Sequence, residues 1–178
     1  MEFLANHWMP ILVSAIAVFF VSFLTHMVLP FHKSEFGKLP DEDSTSDALK
    51  SAQPGLYMLP FCTAETMNSP EMQEKMKAGP NGLVVVWDGP VNMGKNLGLT
   101  FLFYILVGIF VAYLGNVGLA AEATKSEIFR FTGTVAFCSH ALGWMPMFVW
   151  YKYGKFWPNF LDSVLYTLAT GAIFAMMW

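Results

Sequence analysis

Charged side chains are scarce in this 178-residue chain. Asp, Glu, Lys and Arg make up 13% of it, whereas 55% of its residues are hydrophobic. Soluble domains usually carry about 25% charged residues. The shortfall, together with a mean hydropathy of +0.47, indicates that much of the chain faces lipid or other helices. The net charge of −3 and the lack of any Lys/Arg-rich run give no reason to expect nucleic acid as a partner.

Cysteines and recognisable catalytic motifs are also missing or few. The two cysteines, Cys62 and Cys138, are far apart and form no CxxC motif, which argues against a disulfide framework, a zinc ribbon and a thiol–disulfide exchange site. The sequence contains no GxSxG, no HExxH and no glycine-rich phosphate loop. We therefore predict a protein that is not an enzyme, with no catalytic residue and no metal site.

A long uncharged stretch, residues 97–119, contains no Asp, Glu, Lys, Arg or Pro. At about 1.5 Å of rise per residue, a helix of this length crosses the roughly 30 Å hydrocarbon core of a bilayer. Three other segments, 8–29, 127–151 and 158–178, are also long and mainly apolar, and a kink is expected in the second of them at Pro146. The first lacks the basic residues that open a secretory signal, so we expect it to be retained as a span. The sequence thus predicts an all-α integral membrane protein, a single membrane domain over 1–178 with four transmembrane helices.

Residues 30–96 form a structured extramembrane segment between the first two spans. An acidic, Ser/Thr-rich stretch stopped by Pro54 predicts one short capped helix. Ser69, Pro70 and Glu71 have the order of an N-cap, a first-turn proline and a first-turn acid, which predicts a second helix. Two apolar runs in this segment, 56–59 and 83–87, are interpreted either as a small hairpin or as stretches lying on the membrane surface.

Basic residues near the membrane ends predict the orientation. Five lysines flank the side that carries the long segment, namely Lys33, Lys38, Lys95, Lys152 and Lys155. Only Lys125 and Arg130 flank the other side. The positive-inside rule then places residues 30–96 in the cytoplasm and both termini in the periplasm of a bacterial inner membrane.

Small residues recur along two of the predicted spans, where they allow helix backbones to approach closely. The expected contact residues are Gly94, Gly98, Gly108 and Ala112, and then Ser163, Thr167, Gly171 and Ala175 at i+4 spacing. These stripes are interpreted either as packing within this bundle or as a docking edge for a partner subunit.

Two histidines are predicted to lie at a similar depth in the membrane. His26 and His140 fall within about one helical turn of each other in depth when the spans alternate in direction. Such a pair is a candidate ligand set for a haem or a chlorophyll-type pigment. The alternative is a buried histidine that hydrogen-bonds to Ser22, Thr25 or a carbonyl, with no cofactor beyond bound lipids. His7 and His32 are expected to be structural, interfacial residues.

Two ionisable residues fall inside predicted spans, where such residues are candidates for function. Asp162 lies about one turn into the last span, so its expected roles are pairing with a nearby lysine or a proton relay. Arg130 lies near the start of the third span, at the opposite membrane face. The two residues are therefore not expected to pair with each other.

Four pieces of the sequence carry a resemblance to a known group of proteins. They are PGLYMLPF from Pro54, MNSPEMQEKMKAGPNGL from Met67, GPVNMGKNLG from Gly89 and IFRFTGTVAF from Ile128. The chain resembles uncharacterised bacterial integral membrane proteins that have one span, a Pro/Gly-punctuated segment and three further spans. The resemblance implies this four-span architecture and no particular activity.

Three functional hypotheses follow from these features. The first is a non-catalytic accessory or structural subunit of a larger bacterial membrane complex, respiratory or photosynthetic, with other membrane subunits and the bilayer as partners. The second is a cofactor-binding or electron-transfer protein that uses His26 and His140. The third is a small transporter with Asp162 as its relay group.

Overall fold

The computed structural model describes residues 2–178, which are mostly helical. Its elements are α1 (Glu2–Phe23) continued by a π turn (Leu24–Val28), a 3-10 turn (Pro30–His32), α2 (Glu42–Leu49), β1 (Gly55–Leu59), α3 (Pro70–Ala78), β2 (Gly82–Val86), α4 (Met93–Gly118), α5 (Lys125–Phe137) continued by a π turn (Cys138–Leu142), α6 (Met145–Tyr151) and α7 (Phe156–Met177). The chain divides into a helical unit, residues 2–37 and 93–178, and a smaller unit, residues 38–92.

Three helical stretches among residues 2–178 are long and apolar enough to cross a membrane: Glu2–Val28, Met93–Gly118 and Phe156–Met177. They coincide with three of the four predicted spans, so the prediction of a mainly helical, multi-pass membrane protein is supported. The first stretch begins earlier than predicted. It is kinked at His7, three residues before Pro10, whose ring and missing N–H disturb the preceding turn.

The predicted span 127–151 is not one continuous helix. It consists of the 13-residue α5, the π turn and the 7-residue α6. Gly143 follows the end of the π turn, Trp144 is the N-cap of α6, and Pro146 occupies the first turn of α6, where its missing N–H is tolerated. The sequence predicts a span kinked at Pro146 here; instead the proline begins a new helix, and the segment is not among the stretches long and apolar enough to cross a membrane within residues 2–178.

Two pairs of neighbouring helices in the helical unit are antiparallel. The ring of Phe3 contacts Tyr113 and the ring of Phe19 contacts Phe101, so α1 and α4 are antiparallel. Phe129 lies against Gly171, and the ring of Phe137 contacts Phe160, so α5 and α7 are antiparallel as well.

Small residues allow the close approach of these helices. A Cβ placed on Gly108 would lie 3.2–3.3 Å from side-chain and backbone atoms of Ile11. Gly171 meets Phe129 at the same distance, 3.2 Å. Ala112 and Ser163 are buried, whereas Gly98 has nothing within 4 Å of its Cβ position. Within this chain, therefore, the stripes serve contacts between its own helices at Gly108 and Gly171.

Large apolar side chains remain exposed on the outer faces of α1 and α4, among them Leu12, Ile16, Phe20, Leu102, Leu106 and Phe110. The core beneath them is built from side chains of four helices, including Val18, Val111, Ile128 and Phe174. A helical bundle that is apolar on both its inner and outer surfaces is the arrangement expected of a protein in lipid.

The smaller unit, residues 38–92, holds two short helices and one strand pair. Asp41 caps α2, and hydrogen bonds from the hydroxyl and backbone N–H of Ser44 hold the pKa of that carboxyl below its ordinary value. The two apolar runs form an antiparallel pair, β1 with β2, in which Leu56 is opposite Val85. No residue in this range is buried.

Replacing Gly108 by leucine should destabilise the bundle, since the new side chain would collide with the backbone of Ile11. Overpacking of this kind costs about 1–3 kcal/mol. We expect a lower unfolding temperature in mild detergent, measured by tryptophan fluorescence. The matched control is Gly98→Leu on the same helix, where nothing obstructs the side chain. Equal unfolding temperatures for the two variants would contradict this packing.

Candidate functional site

A cavity of about 740 Å³ lies within the helical unit. Most of its wall is apolar, and several aromatic rings contribute to it. Its polar lining residues come from α1 and its π turn, α4, the π turn after α5, and α7: Ser22, His26, Thr100, Tyr104, His140, Asn159, Asp162, Ser163 and Tyr166. Cavities with this size and mixture are typical of binding sites for small molecules and cofactors.

Asp162 is the centre of a buried polar cluster beside this cavity. Only 7% of its side chain is exposed. Its Oδ2 lies 3.1 Å from His32 Nε2 and 3.5 Å from His26 Nδ1, and it accepts a 3.1 Å hydrogen bond from the Tyr166 hydroxyl. Its Oδ1 is buried and has no hydrogen-bond partner within residues 2–178. The carboxylate thus retains one unused acceptor atom.

The end of α1 determines how the two histidines meet. The π turn Leu24–Val28 changes the helical register, and Pro30 then opens a 3-10 turn that ends at His32. The rings of His26 and His32 stack, with centroids 3.9 Å apart and planes inclined by 9°. His26 Nδ1 also lies 3.0 Å from the carbonyl oxygen of Ser22. Two imidazoles therefore reach the same carboxylate oxygen.

Glu35 contacts the ring nitrogen of His32 that does not face Asp162. Its Oε2 lies 3.0 Å from His32 Nδ1, which is ion-pair distance. Its Oε1 accepts hydrogen bonds from the Asn159 side chain at 2.9 Å and from the backbone N–H of Lys155 at 3.2 Å. Glu35 therefore joins the segment after α1 to the first turn of α7 and holds the His32 ring between two carboxylates.

His140 lies in the second π turn and faces the same cavity. Its ring makes edge contacts with Phe103, Tyr104 and Tyr166, at centroid distances of 6.0, 6.0 and 5.4 Å. Its ring nitrogens have no hydrogen-bond partner among residues 2–178. Its carbonyl oxygen accepts a hydrogen bond from the Ser163 hydroxyl at 3.1 Å. The imidazole is therefore anchored through its backbone and packed by aromatic rings, with its nitrogens unused.

The structure brings together some of the predicted site residues and separates others. His26 and His140 line one cavity, but His26 contacts His32 and Asp162, whereas His140 contacts aromatic rings. The close partners of Asp162 are histidines and a tyrosine, whereas the sequence pointed to lysines. Arg130 lines a different, smaller pocket near the start of α5.

Sequence reasoning missed His32, Glu35 and Tyr166 as members of the cluster. Tyr166 lies four residues after Asp162, so helical spacing places both on one face of α7. His32 and Glu35 follow a helix-ending proline, and their approach to Asp162 depends on tertiary structure. The donor atoms of His26, His32 and Asp162 all lie within 4.8 Å of one another, so these residues are able to hold a metal ion.

Ser163 joins α7 to the segment 140–144 across the cavity wall, so replacing it should lower the free energy of unfolding. Its hydroxyl accepts a 3.1 Å hydrogen bond from Trp144 Nε1 and lies within 3.1 Å of the His140 carbonyl. In Ser163→Ala the partly buried indole N–H of Trp144 loses its partner, which costs about 1–3 kcal/mol. Chemical denaturation in detergent should show this loss. The control Ser139→Ala removes only a hydrogen bond to the Val135 carbonyl one helical turn earlier, and it should lower the free energy of unfolding by well under half as much. Equal losses of unfolding free energy in the two variants would refute a bridging role for Ser163.

Comparison with protein-family models, with curated proteins and with solved structures finds no match for this chain. A function must therefore be inferred from the cavity, the Asp162 cluster and the exposed surfaces of the molecule itself.

Proposed function

We propose that the chain crosses the bacterial inner membrane four times, with residues 125–151 as a broken third crossing. The antiparallel packing of α5 and its π turn against α7 supports this, because the chain must return across the bundle between α4 and α7. Broken helices are tolerated at membrane depth where they line a cavity, as His140 does here. The lysine distribution favours periplasmic termini and a cytoplasmic segment 30–96.

The function that the geometry supports best is binding of a small-molecule cofactor inside the membrane, as in an electron-transfer protein. The observation that carries this proposal is the cavity itself, with apolar walls and two histidines on its lining. Binding rather than catalysis is the proposed activity. The aromatic wall formed by Phe19, Phe103 and Trp144 suits a flat, largely apolar molecule.

Among the residues that line the cavity, His140 is the most suitable ligand for such a cofactor. Its ring nitrogens are unused among the described residues, and a neutral imidazole is an axial ligand of haem iron and of pigment magnesium. His26 is engaged by His32, Asp162 and the Ser22 carbonyl. The proposal is therefore a haem or chlorophyll-type pigment held through His140 alone, rather than through the pair His26 and His140.

Filling the cavity should remove the bound cofactor. Thr100 lines the cavity, so Thr100→Trp should lower the amount of bound molecule at least about tenfold, a change of about 1.4 kcal/mol in binding. The measurement is the absorption spectrum of protein purified in mild detergent, with mass spectrometry of its solvent extract. The control Leu106→Trp lies on an exposed part of the same helix. A colourless wild-type protein whose extract holds only phospholipid would overturn the proposal.

A second candidate function, an accessory subunit of a larger membrane complex, is favoured by the smaller unit. No residue of 38–92 is buried, and five of its large apolar side chains are more than half exposed: Leu39 52%, Leu56 63%, Phe61 72%, Val85 55% and Trp87 67%. Leu56 and Val85 are cross-strand neighbours, so they form a continuous apolar surface. Surfaces of this kind mark sites of protein or membrane association.

Charge placed on that sheet surface should release a partner subunit. We expect the double variant Leu56→Lys/Val85→Lys to lose a protein that co-purifies with wild type in mild detergent, as measured by mass spectrometry and size-exclusion chromatography. Ser46→Lys adds a lysine to an exposed position on α2 and should keep that protein. Recovery of the wild-type chain as a free monomer would exclude the accessory role.

A further inference from the structure

We propose that His26, His32 and Asp162 bind a divalent transition-metal ion, Zn²⁺ by the chemistry of the ligands. This site goes beyond the proposed cofactor binding, with which it shares only the position of His26 and Asp162 on the cavity wall. The ligand atoms are His26 Nδ1, His32 Nε2 and a carboxylate oxygen of Asp162, which lie within 4.8 Å of one another.

The distances between these atoms fit a tetrahedral ion. Zn²⁺ binds histidine nitrogen and carboxylate oxygen at about 2.0–2.1 Å, which puts neighbouring ligand atoms about 3.4 Å apart. The two nitrogen–oxygen distances here are 3.1 and 3.5 Å. The rings of His26 and His32 are nearly parallel, so at least one of them must turn out of the stack to direct its nitrogen at a shared ion, and His26 Nδ1 would then give up its contact with the Ser22 carbonyl.

The residues around the cluster are those that orient metal ligands. A ligating histidine usually has its second ring nitrogen against a carboxylate, which fixes the tautomer and the ring orientation. Glu35 Oε2 lies 3.0 Å from the second ring nitrogen of His32, at ion-pair distance though without hydrogen-bond alignment, and Glu35 is itself held by Asn159 and Lys155. The Tyr166 hydroxyl donates to Asp162 and so orients the third ligand.

The charges of the cluster also call for a cation. The side chains of Asp162 and Glu35 are only 7% and 10% exposed, and both pair with histidine. With neutral imidazoles, two buried negative charges lie on either side of one ring, which is unfavourable without a positive charge. Asp162 Oδ1 adds a buried acceptor with no hydrogen-bond partner in residues 2–178. A metal ion between the three residues would supply the missing positive charge.

The ligand types select the metal. Two imidazoles and one carboxylate suit zinc and neighbouring first-row ions, whereas Mg²⁺ and Ca²⁺ prefer oxygen-only sites and Cu⁺ prefers sulfur. Three protein ligands leave a fourth position, which is the arrangement of zinc sites that bind water or a substrate group. Because His26 and Asp162 line the cavity, this position is accessible from it.

Metal titration of the whole protein tests the site. Protein purified without a histidine tag and stripped with a chelator should bind one Zn²⁺ per chain by calorimetry. Co²⁺ in its place should give the visible absorption bands of a tetrahedral site. Asp162→Asn and His32→Ala should each lose at least 100-fold in affinity, and Glu35→Gln, which keeps all three ligands, about 10–100-fold. His7→Gln alters a histidine at the opposite end of α1 and should bind as wild type does.

The outcomes separate this inference from the proposed function. Thr100→Trp should lose the cofactor and still bind the metal, so a metal with no cofactor supports the site alone. Equal Zn²⁺ binding by wild type and by the folded Glu35→Gln and Asp162→Asn variants would mean adventitious binding and would overturn the inference. Lack of binding by the stripped wild-type protein, with its elution volume and unfolding temperature unchanged, would overturn it as well. In that case a cofactor held by His140 would remain possible.

Discussion

A carboxylate buried in an apolar bundle must be paired, because removing an uncompensated charge from water costs several kcal/mol. Asp162 imposes this requirement on the helical unit, and the chain meets it with residues from two distant segments. His26 and His32 reach the carboxylate from the turns that follow α1, and Tyr166 reaches it from one turn further along α7. The start of α7 and the segment after α1 are thereby held together, and Glu35 reinforces the same junction through Asn159 and Lys155.

Two departures from regular α-helix give this junction its shape. Both histidines on the cavity wall, His26 and His140, lie in π turns, Leu24–Val28 and Cys138–Leu142. A π turn inserts an extra residue into a helical turn, rotates the side chains that follow, and is frequent at functional sites. After α5 the π turn is followed by a break before Pro146, so the chain does not form one continuous helix where His140 lies.

Most of the helical architecture could be predicted from the sequence, because uncharged stretches of membrane length are a strong local signal. The spans 97–119 and 158–178 lie close to α4 and α7, and Gly108 and Gly171 are in the helix contacts expected of them. The break in 127–151 was harder to foresee, since Pro146 allows either a kink or a new helix. The Asp162 cluster could not be predicted from the sequence for a different reason. His32 is 130 residues from Asp162 in the chain, and its position depends on a π turn and a 3-10 turn that no periodicity predicts.

The two ends of the helical unit differ in how tightly they are packed. At the end where α7 finishes, Trp178 stacks on His7 with centroids 4.1 Å apart, and a Cβ on Gly115 would lie 2.5 Å from its ring. That end is closed by aromatic packing that leaves no room for a side chain. At the other end lie the cavity, the buried carboxylates and the half-exposed ring of His26. The tightly packed aromatic end therefore lies apart from the end that holds the cavity and the buried ionisable groups.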